Sequence, residues 1–132
     1  MNKLKDQQLT SLDKYTRELV WEMQHCIDNE LYNAAVLLFR PLLLHIFEDI
    51  TKGEYYDHKG NRVMTKDLSF QKVINLFRRD GTIFKNKEDL ANAQLIKGIS
   101  NDINHNFESA TKEEAYIAFK IIVNIINHNY SY

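Results

Sequence analysis

The stretch that decides the fold is Ala34–Ile50, AAVLLFRPLLLHIFEDI, in which apolar side chains occupy nearly every side of a helix. A helix of this kind has to be buried on most of its faces, so the segment predicts the centre of a helical bundle. Pro41 lies inside the run and lacks the N–H that a helix interior needs, which predicts a kink between Leu37 and Pro41. The helix is expected to cover about residues 31–51 and to end at Gly53.

Four further segments show the three- and four-residue spacing of apolar side chains that is typical of amphipathic helices. Asp67 is a candidate N-cap, and Thr111 with Glu114 forms a capping-box pattern at the start of the last segment. Residues 53–66 are polar and turn-rich, and they predict a long loop or a short hairpin. The sequence therefore predicts an all-α bundle of four or five helices. The further helices are expected at about residues 9–28, 67–79, 87–103 and 111–128.

Length and composition indicate one globular domain over residues 1–132, with 44% apolar residues. The chain has four Gly and one Pro, and this scarcity favours helices over a turn-rich β fold. Cys26 is the single cysteine, so an internal disulfide is excluded and a reducing compartment is favoured. No stretch approaches the ~20 uncharged apolar residues of a membrane span, and the first residues lack a signal-peptide core. We therefore expect a cytoplasmic protein with no membrane partner.

The charge balance argues mildly against a general nucleic-acid-binding role. Seventeen basic residues stand against eighteen acidic ones, for a net charge of −1. A protein that holds nucleic acid mainly by neutralising phosphates is usually clearly basic. Any role in RNA binding must therefore rest on a local site.

The candidate site is the polar stretch KGISNDINHN at residues 97–106. If the helix continues, Lys97, Asn101 and His105 are four residues apart and line one face. Ser100 and Asn104 lie beside them. The face would group a cation, amides and an imidazole, the side chain that most readily exchanges a proton near neutral pH. The alternative is a helix C-terminus at which His105 and the asparagines satisfy unpaired carbonyls.

Arg40 is the second candidate, because a charged residue inside an apolar run needs a partner or a polar cleft. It could bind an anion or RNA. It could equally form a structural ion pair or extend its side chain to the edge of the bundle. The sequence leaves both interpretations open.

A metal site is the weakest interpretation. Glu22 with His25, and Asp102 with His105, have the three-residue spacing that helical bundles use in di-metal carboxylate sites. Such a site needs further carboxylates that face inward, and Glu22 and His25 fall at the margin of their apolar stripe. We therefore expect no metal and no cofactor.

Three segments together resemble a known family. They are Ala34–Ile50, Asp67–Phe77 (DLSFQKVINLF) and Leu95–Ile126, whose first part reads LIKGISNDINHNFESATKEEA. Their order and character resemble the HEPN superfamily of small helical bundles, in particular a bacterial branch of stand-alone domains of undefined role. The resemblance covers about residues 15–128 and implies the same helical fold.

The resemblance also implies a chemistry, which this sequence matches only in part. Active HEPN ribonucleases cleave RNA without metal, using an arginine, a polar residue directly after it and a histidine a few residues later. His105 matches the histidine and Asn101 the polar residue, but Ser100 stands where the arginine is expected. Serine supplies no charge to a phosphorane, and Lys97, one turn earlier, lacks the planar fork of arginine.

The sequence thus favours a HEPN-like module that binds RNA or a protein partner and lacks strong ribonuclease activity. The family implies a bacterial defence or toxin–antitoxin setting and a homodimer. One alternative is an active metal-independent ribonuclease that uses His105 and Asn101 with Lys97 or Arg40. A further alternative is a protein-interaction domain without any such site.

Overall fold

The computed structural model describes residues 12–56, 59–64, 69–80 and 87–130. In these ranges the chain forms helices and one antiparallel hairpin, so the all-α prediction is confirmed. Two of the helical segments, Tyr32–Leu37 and Phe39–Thr51, are the halves of the predicted second helix. The helices are α1 (Lys14–Asp28), α2 (Tyr32–Leu37), α3 (Phe39–Thr51), α4 (Phe70–Asp80), α5 (Lys87–Asn106) and α6 (Lys112–Asn129), and the strands are β1 (Glu54–Tyr56) and β2 (Arg62–Met64).

The predicted kink is a break between α2 and α3. Because Pro41 has no N–H, the carbonyl of Leu37 loses the donor that a continuous helix would supply. The two segments meet at Leu38, which has φ −74° and ψ −15°. Helical bonding resumes where the Leu42 amide donates to the Leu38 carbonyl at 3.2 Å. The predicted end is also observed, since Lys52 adopts a left-handed conformation directly before Gly53.

The centre of the bundle is shared by two helices, whereas the sequence assigned it to the second helix alone. α6 packs against α1, α2, α3 and α5, because its Ile-rich sequence is also apolar on most sides. α3 contributes five of the most deeply buried side chains. These are Phe39, Leu42, Leu43, Ile46 and Phe47. Apolar as these helices are, none in the described ranges has the length and apolar character needed to cross a membrane.

Capping interactions fix where several helices begin. The predicted capping box is confirmed: Thr111 Oγ1 accepts from the Glu114 amide at 3.2 Å, and Glu114 Oε1 accepts from the Thr111 amide at 2.8 Å. Asp13 caps α1, accepting from the Thr16 amide at 2.7 Å. Ser69 Oγ accepts from the Lys72 amide at 3.2 Å at the start of α4. The candidate cap Asp67 and the predicted start of the first helix lie outside the described residues.

The segment between α3 and α4 contains the short hairpin that the sequence offered as one of two possibilities. β1 and β2 pair antiparallel, with Glu54 opposite Met64 and Tyr56 opposite Arg62. Gly60 in the connection has φ +81°, a conformation that glycine adopts without steric cost. The hairpin lies against α3.

Candidate functional site

The polar face of α5 exists as the spacing predicts. The helix is unbroken to Asn106, so Lys97, Asn101 and His105 follow one another at single-turn intervals on one face. Asn101, Asn104 and His105 are exposed, and Lys97 is half-buried. A rise of 1.5 Å per residue puts Lys97 and His105 roughly 12 Å apart along the axis. The helix therefore spreads these groups along a face.

Ser100 faces the interior. Its side chain is only 7% exposed, and its hydroxyl donates to the Val36 carbonyl at 3.4 Å. This contact lies where α5 packs against α2, and a small residue there lets the two helices approach closely. Ser100 thus points away from the exposed face of Lys97, Asn101 and His105, beside which the sequence pattern places it. A side chain at position 100 does not reach a ligand on that face.

Arg40 lies elsewhere, at the start of α3. It is exposed, and its guanidinium carbon lies 5.9 Å from the centroid of the Phe70 ring on α4. That distance and position are those of a cation–π contact. Of the two interpretations that the sequence left open, the observed position favours the second, in which the side chain extends to the edge of the bundle.

Two contacts between the segments that carry them show where Arg40 lies relative to His105. Ser100 meets Val36, and further along the chain the Ala110 amide donates to Asn33 Oδ1 at 2.6 Å. Ala110 comes after Ser100 in the sequence, whereas its partner Asn33 comes before Val36. The two segments therefore run in opposite directions. Counted from the Ser100 contact, His105 lies one way along the packed segments, and Arg40, which lies beyond the break at Leu38, lies the other way.

Phe107, which sequence reasoning did not single out, stands at the end of α5. It is 91% exposed and has φ +57°, and the next amide, that of Glu108, donates to the Asp102 carbonyl at 3.3 Å. A bulky residue in the left-handed region is uncommon, since the position after a helix is usually glycine or asparagine. The available signal was an aromatic residue in the otherwise polar connection NHNFESA.

An open cleft lies beside Phe107. Residues 30–34 of the α1–α2 turn form one wall, Ser109 and Ala110 form the other, and the volume is about 420 Å³. Leu31 on the first wall is 51% exposed. Phe107 precedes Ser109 by two residues, a chain length of at most about 7 Å. We call residues 30–34 with Phe107, Ser109 and Ala110 the Phe107 surface.

The surroundings of the Phe107 surface are acidic. Glu30 lies on the cleft wall, Glu108 follows Phe107, and both are exposed. Asp28 ends α1 and Glu113 lies in the first turn of α6, at the same end of the bundle. The sequence has no lysine or arginine between residues 97 and 112, and Lys112 itself begins α6 beside Glu113, with its ammonium 5.6 Å from the centroid of the Tyr116 ring. An anionic ligand such as RNA would be repelled here, whereas a cationic one would be attracted.

A second polar cluster joins three elements at the opposite end of α1. Asp13 Oδ2 lies 3.8 Å from His45 Nε2, and the ring of Tyr15 lies 4.4 Å from that of His45. The Tyr130 hydroxyl donates to Asp49 Oδ2 at 2.5 Å. Burial, together with the Asp49 carboxylate, raises the pKa of Tyr130, so its hydroxyl stays protonated. These contacts tie α1 and the end of α6 to α3.

The metal interpretation receives no support from the described residues, which contain no group of three or more His, Cys, Asp or Glu able to hold a metal ion. The carboxylate of Asp102 accepts instead from the side-chain amide of Asn106 at 3.2 Å. Cys26 is buried, and burial followed by the nearby Glu22 carboxylate raises the pKa of its thiol. A thiol in that state is a poor nucleophile.

Comparison with known proteins gives a match to a protein family. The model of a family described as "Domain of unknown function (DUF4145)" matches residues 21–132. No curated protein and no solved structure matches the chain. The matched range starts within α1 and includes Arg40, the polar face of α5 and the whole Phe107 surface.

Proposed function

The chain belongs to the DUF4145 family, and we propose that it is a HEPN-like binding module that docks a protein partner and is degenerate as a nuclease. The observation that carries the proposal is Phe107, an aromatic ring 91% exposed on a strained backbone next to an open cleft. Strained residues persist where the surrounding structure over-determines them, and they cluster at binding sites. Exposed aromatic residues beside a pocket are typical anchors of protein interfaces.

Three features support binding without catalysis. Cleavage of RNA without metal needs a cation at the developing phosphorane. Ser100 supplies no charge and is buried, and Arg40 lies on the other side of the Ser100–Val36 contact from His105. The other candidate cation, Lys97, lies two turns before His105 on α5. Of the three candidate positions in the described part of the chain, none thus places a cation beside the exposed His105 and Asn101.

Charge supports a protein partner over RNA. Glu30 lines the cleft and the exposed Glu108 directly follows Phe107, so phosphates at this surface would approach carboxylates. Stacking of a base on Phe107 would have to overcome that repulsion. Of the two ligand classes that the sequence left open, a protein segment is the one we propose. The setting we propose, bacterial defence or toxin–antitoxin function in the cytoplasm, rests on the HEPN resemblance and on the single buried cysteine.

The first prediction concerns RNA and protein binding. We expect the purified domain neither to cleave nor to bind a mixed-sequence single-stranded RNA at moderate salt, with or without added magnesium. Short peptides selected on the immobilised domain from a random display library should bind, and Phe107→Asn should weaken them about 10-fold or more, a loss typical of an interface anchor. Asparagine tolerates the left-handed backbone, so this variant removes the ring and keeps the turn.

The control for that variant is Leu95→Gln, which removes a half-exposed apolar side chain on α5 three turns before Phe107. It should leave peptide binding unchanged. Peptides that bind Phe107→Asn as well as the unmodified domain would contradict the docking proposal. RNA cleavage that disappears in His105→Ala would instead establish the active ribonuclease.

The second prediction concerns assembly, because we also propose that the domain forms a homodimer. The HEPN resemblance implies this assembly, and Trp21, a large aromatic residue left half exposed on α1, is the contact we propose between the two copies. Light scattering should give about twice the chain mass of 15.6 kDa at high micromolar concentration. Trp21→Gln should shift the mass towards the monomer, with Leu95→Gln as the control. A monomer mass for the unmodified protein at that concentration would refute the homodimer.

A further inference from the structure

Both turns that build the Phe107 surface hold a non-glycine residue in the left-handed region. Among the described residues, three non-glycine residues have positive φ, and two of them, Glu30 (φ 61°) and Phe107 (φ 57°), lie on this surface. Glu30 is fixed by its own turn, since its amide donates to Ile27 and the following amide, of Leu31, donates to Cys26 at 2.7 Å. The carboxylate and the ring are therefore presented by an ordered backbone.

A hydrogen bond also fixes the two walls relative to each other. The Ala110 amide donates to Asn33 Oδ1 at 2.6 Å, which ties the α5–α6 turn to the α1–α2 turn. The cleft between the walls is then pre-formed, and its volume of about 420 Å³ lies within the range of binding pockets. Leu31, Ala34 and Ala110 give it an apolar lining, which suits a large apolar side chain.

Two carboxylates belong to or adjoin the cleft. Glu30 lies on the first wall, and Glu108, which is exposed, directly precedes Ser109 of the second. Asp28 and Glu113 extend the same sign of charge to the ends of the neighbouring helices. If a peptide places an apolar residue in the cleft, its neighbouring residues lie close to these acidic groups. A partner with positively charged residues at those positions is therefore favoured.

From this arrangement we infer that the occupant of the Phe107 surface is a cationic peptide segment of a partner protein. One large apolar residue of the segment enters the cleft and packs beside Phe107, and lysine or arginine residues on either side pair with Glu30 and Glu108. The inference rests on the proposed function and specifies the chemistry of the partner. Arginine suits these positions best, since its planar fork matches a carboxylate and stacks on an aromatic ring.

The test uses the peptides selected on the domain of residues 1–132. Their sequences should share a large apolar residue flanked by lysine or arginine, and their affinity, measured by fluorescence anisotropy, should fall as salt rises. The double variant Glu30→Gln, Glu108→Gln keeps the shape of both side chains and removes both charges. It should weaken a selected peptide about 10-fold or more, as loss of two partly desolvated charge pairs implies. Glu48→Gln, at an exposed glutamate near the opposite end of α1, should have no effect.

Two kinds of failure can be told apart. Selected peptides that depend on Phe107 but are neutral or acidic, or that ignore the double variant, would overturn the cationic partner and leave the docking function intact. Peptides that ignore Phe107→Asn, or the absence of any binder, would overturn the docking surface itself. Binding of the mixed-sequence RNA that is lost in Phe107→Asn would replace the peptide with a nucleic acid. Each variant should have the same melting temperature as the unmodified domain, which shows that its fold is kept.

Discussion

Replacing Leu43 with alanine is expected to lower the free energy of unfolding by about 2–5 kcal/mol, because the side chain is fully buried on α3 and its loss leaves a cavity. Sequence spacing predicts the same loss at Leu38. The structure places Leu38 at the break between α2 and α3, where it is only partly buried, so its replacement should cost less. Urea unfolding followed by circular dichroism measures both changes.

Leu95→Ala is the matched control, since it removes the same atoms from a half-exposed position on a helix. Its effect should stay within about 1 kcal/mol. A loss below about 1 kcal/mol for Leu43→Ala would mean that α3 is not part of the core. Equal losses at Leu38 and Leu43 would mean that the chain passes through residue 38 as a continuous buried helix.

Ser100→Arg is expected to destabilise the domain by about 3 kcal/mol or more and to produce no nuclease. The HEPN resemblance alone suggests the opposite, a cation restored beside His105. In the structure, however, Ser100 is packed between α5 and α2 with its hydroxyl on the Val36 carbonyl. An arginine there would overfill the contact and bring a charge into it. Chemical unfolding and an RNA cleavage assay on the same preparation test both expectations.

Ser100→Ala supplies the comparison, because it removes only the hydroxyl and its 3.4 Å hydrogen bond. It should cost about 1 kcal/mol. A Ser100→Arg protein that is as stable as the unmodified domain and cleaves RNA would show that position 100 reaches the exposed face with His105. The active-site interpretation would then replace the binding module.

Local signals in the sequence were enough for much of the fold. The break at Leu38 follows from Pro41, and the start of α6 follows from the Thr111 and Glu114 capping box, because each depends on residues within one helical turn. The apolar character of Ala34–Ile50 likewise predicts burial whichever neighbours pack against it. Such features do not require knowledge of the tertiary arrangement.

The candidate site could be predicted only in part, because α5 is polar on several sides. The apolar Leu95 is half exposed, whereas the polar Ser100 takes a buried position. Asp89 is also buried, and Asn124 of α6 donates to its carboxylate at 3.3 Å. Which face of a weakly amphipathic helix is buried depends on its neighbours, and spacing within the helix does not reveal them.

The left-handed backbone of Phe107 has a consequence for engineering the domain. A non-glycine residue in that conformation costs roughly 1–2 kcal/mol, so glycine or asparagine at position 107 would relieve strain in the folded state. Laboratory evolution for heat resistance alone should therefore discard the phenylalanine early. Evolution under selection for partner capture should keep it and accumulate stabilising changes in the core. The two kinds of selection should therefore give different residues at position 107. Because the natural sequence has phenylalanine there, it matches the outcome expected from selection for partner capture.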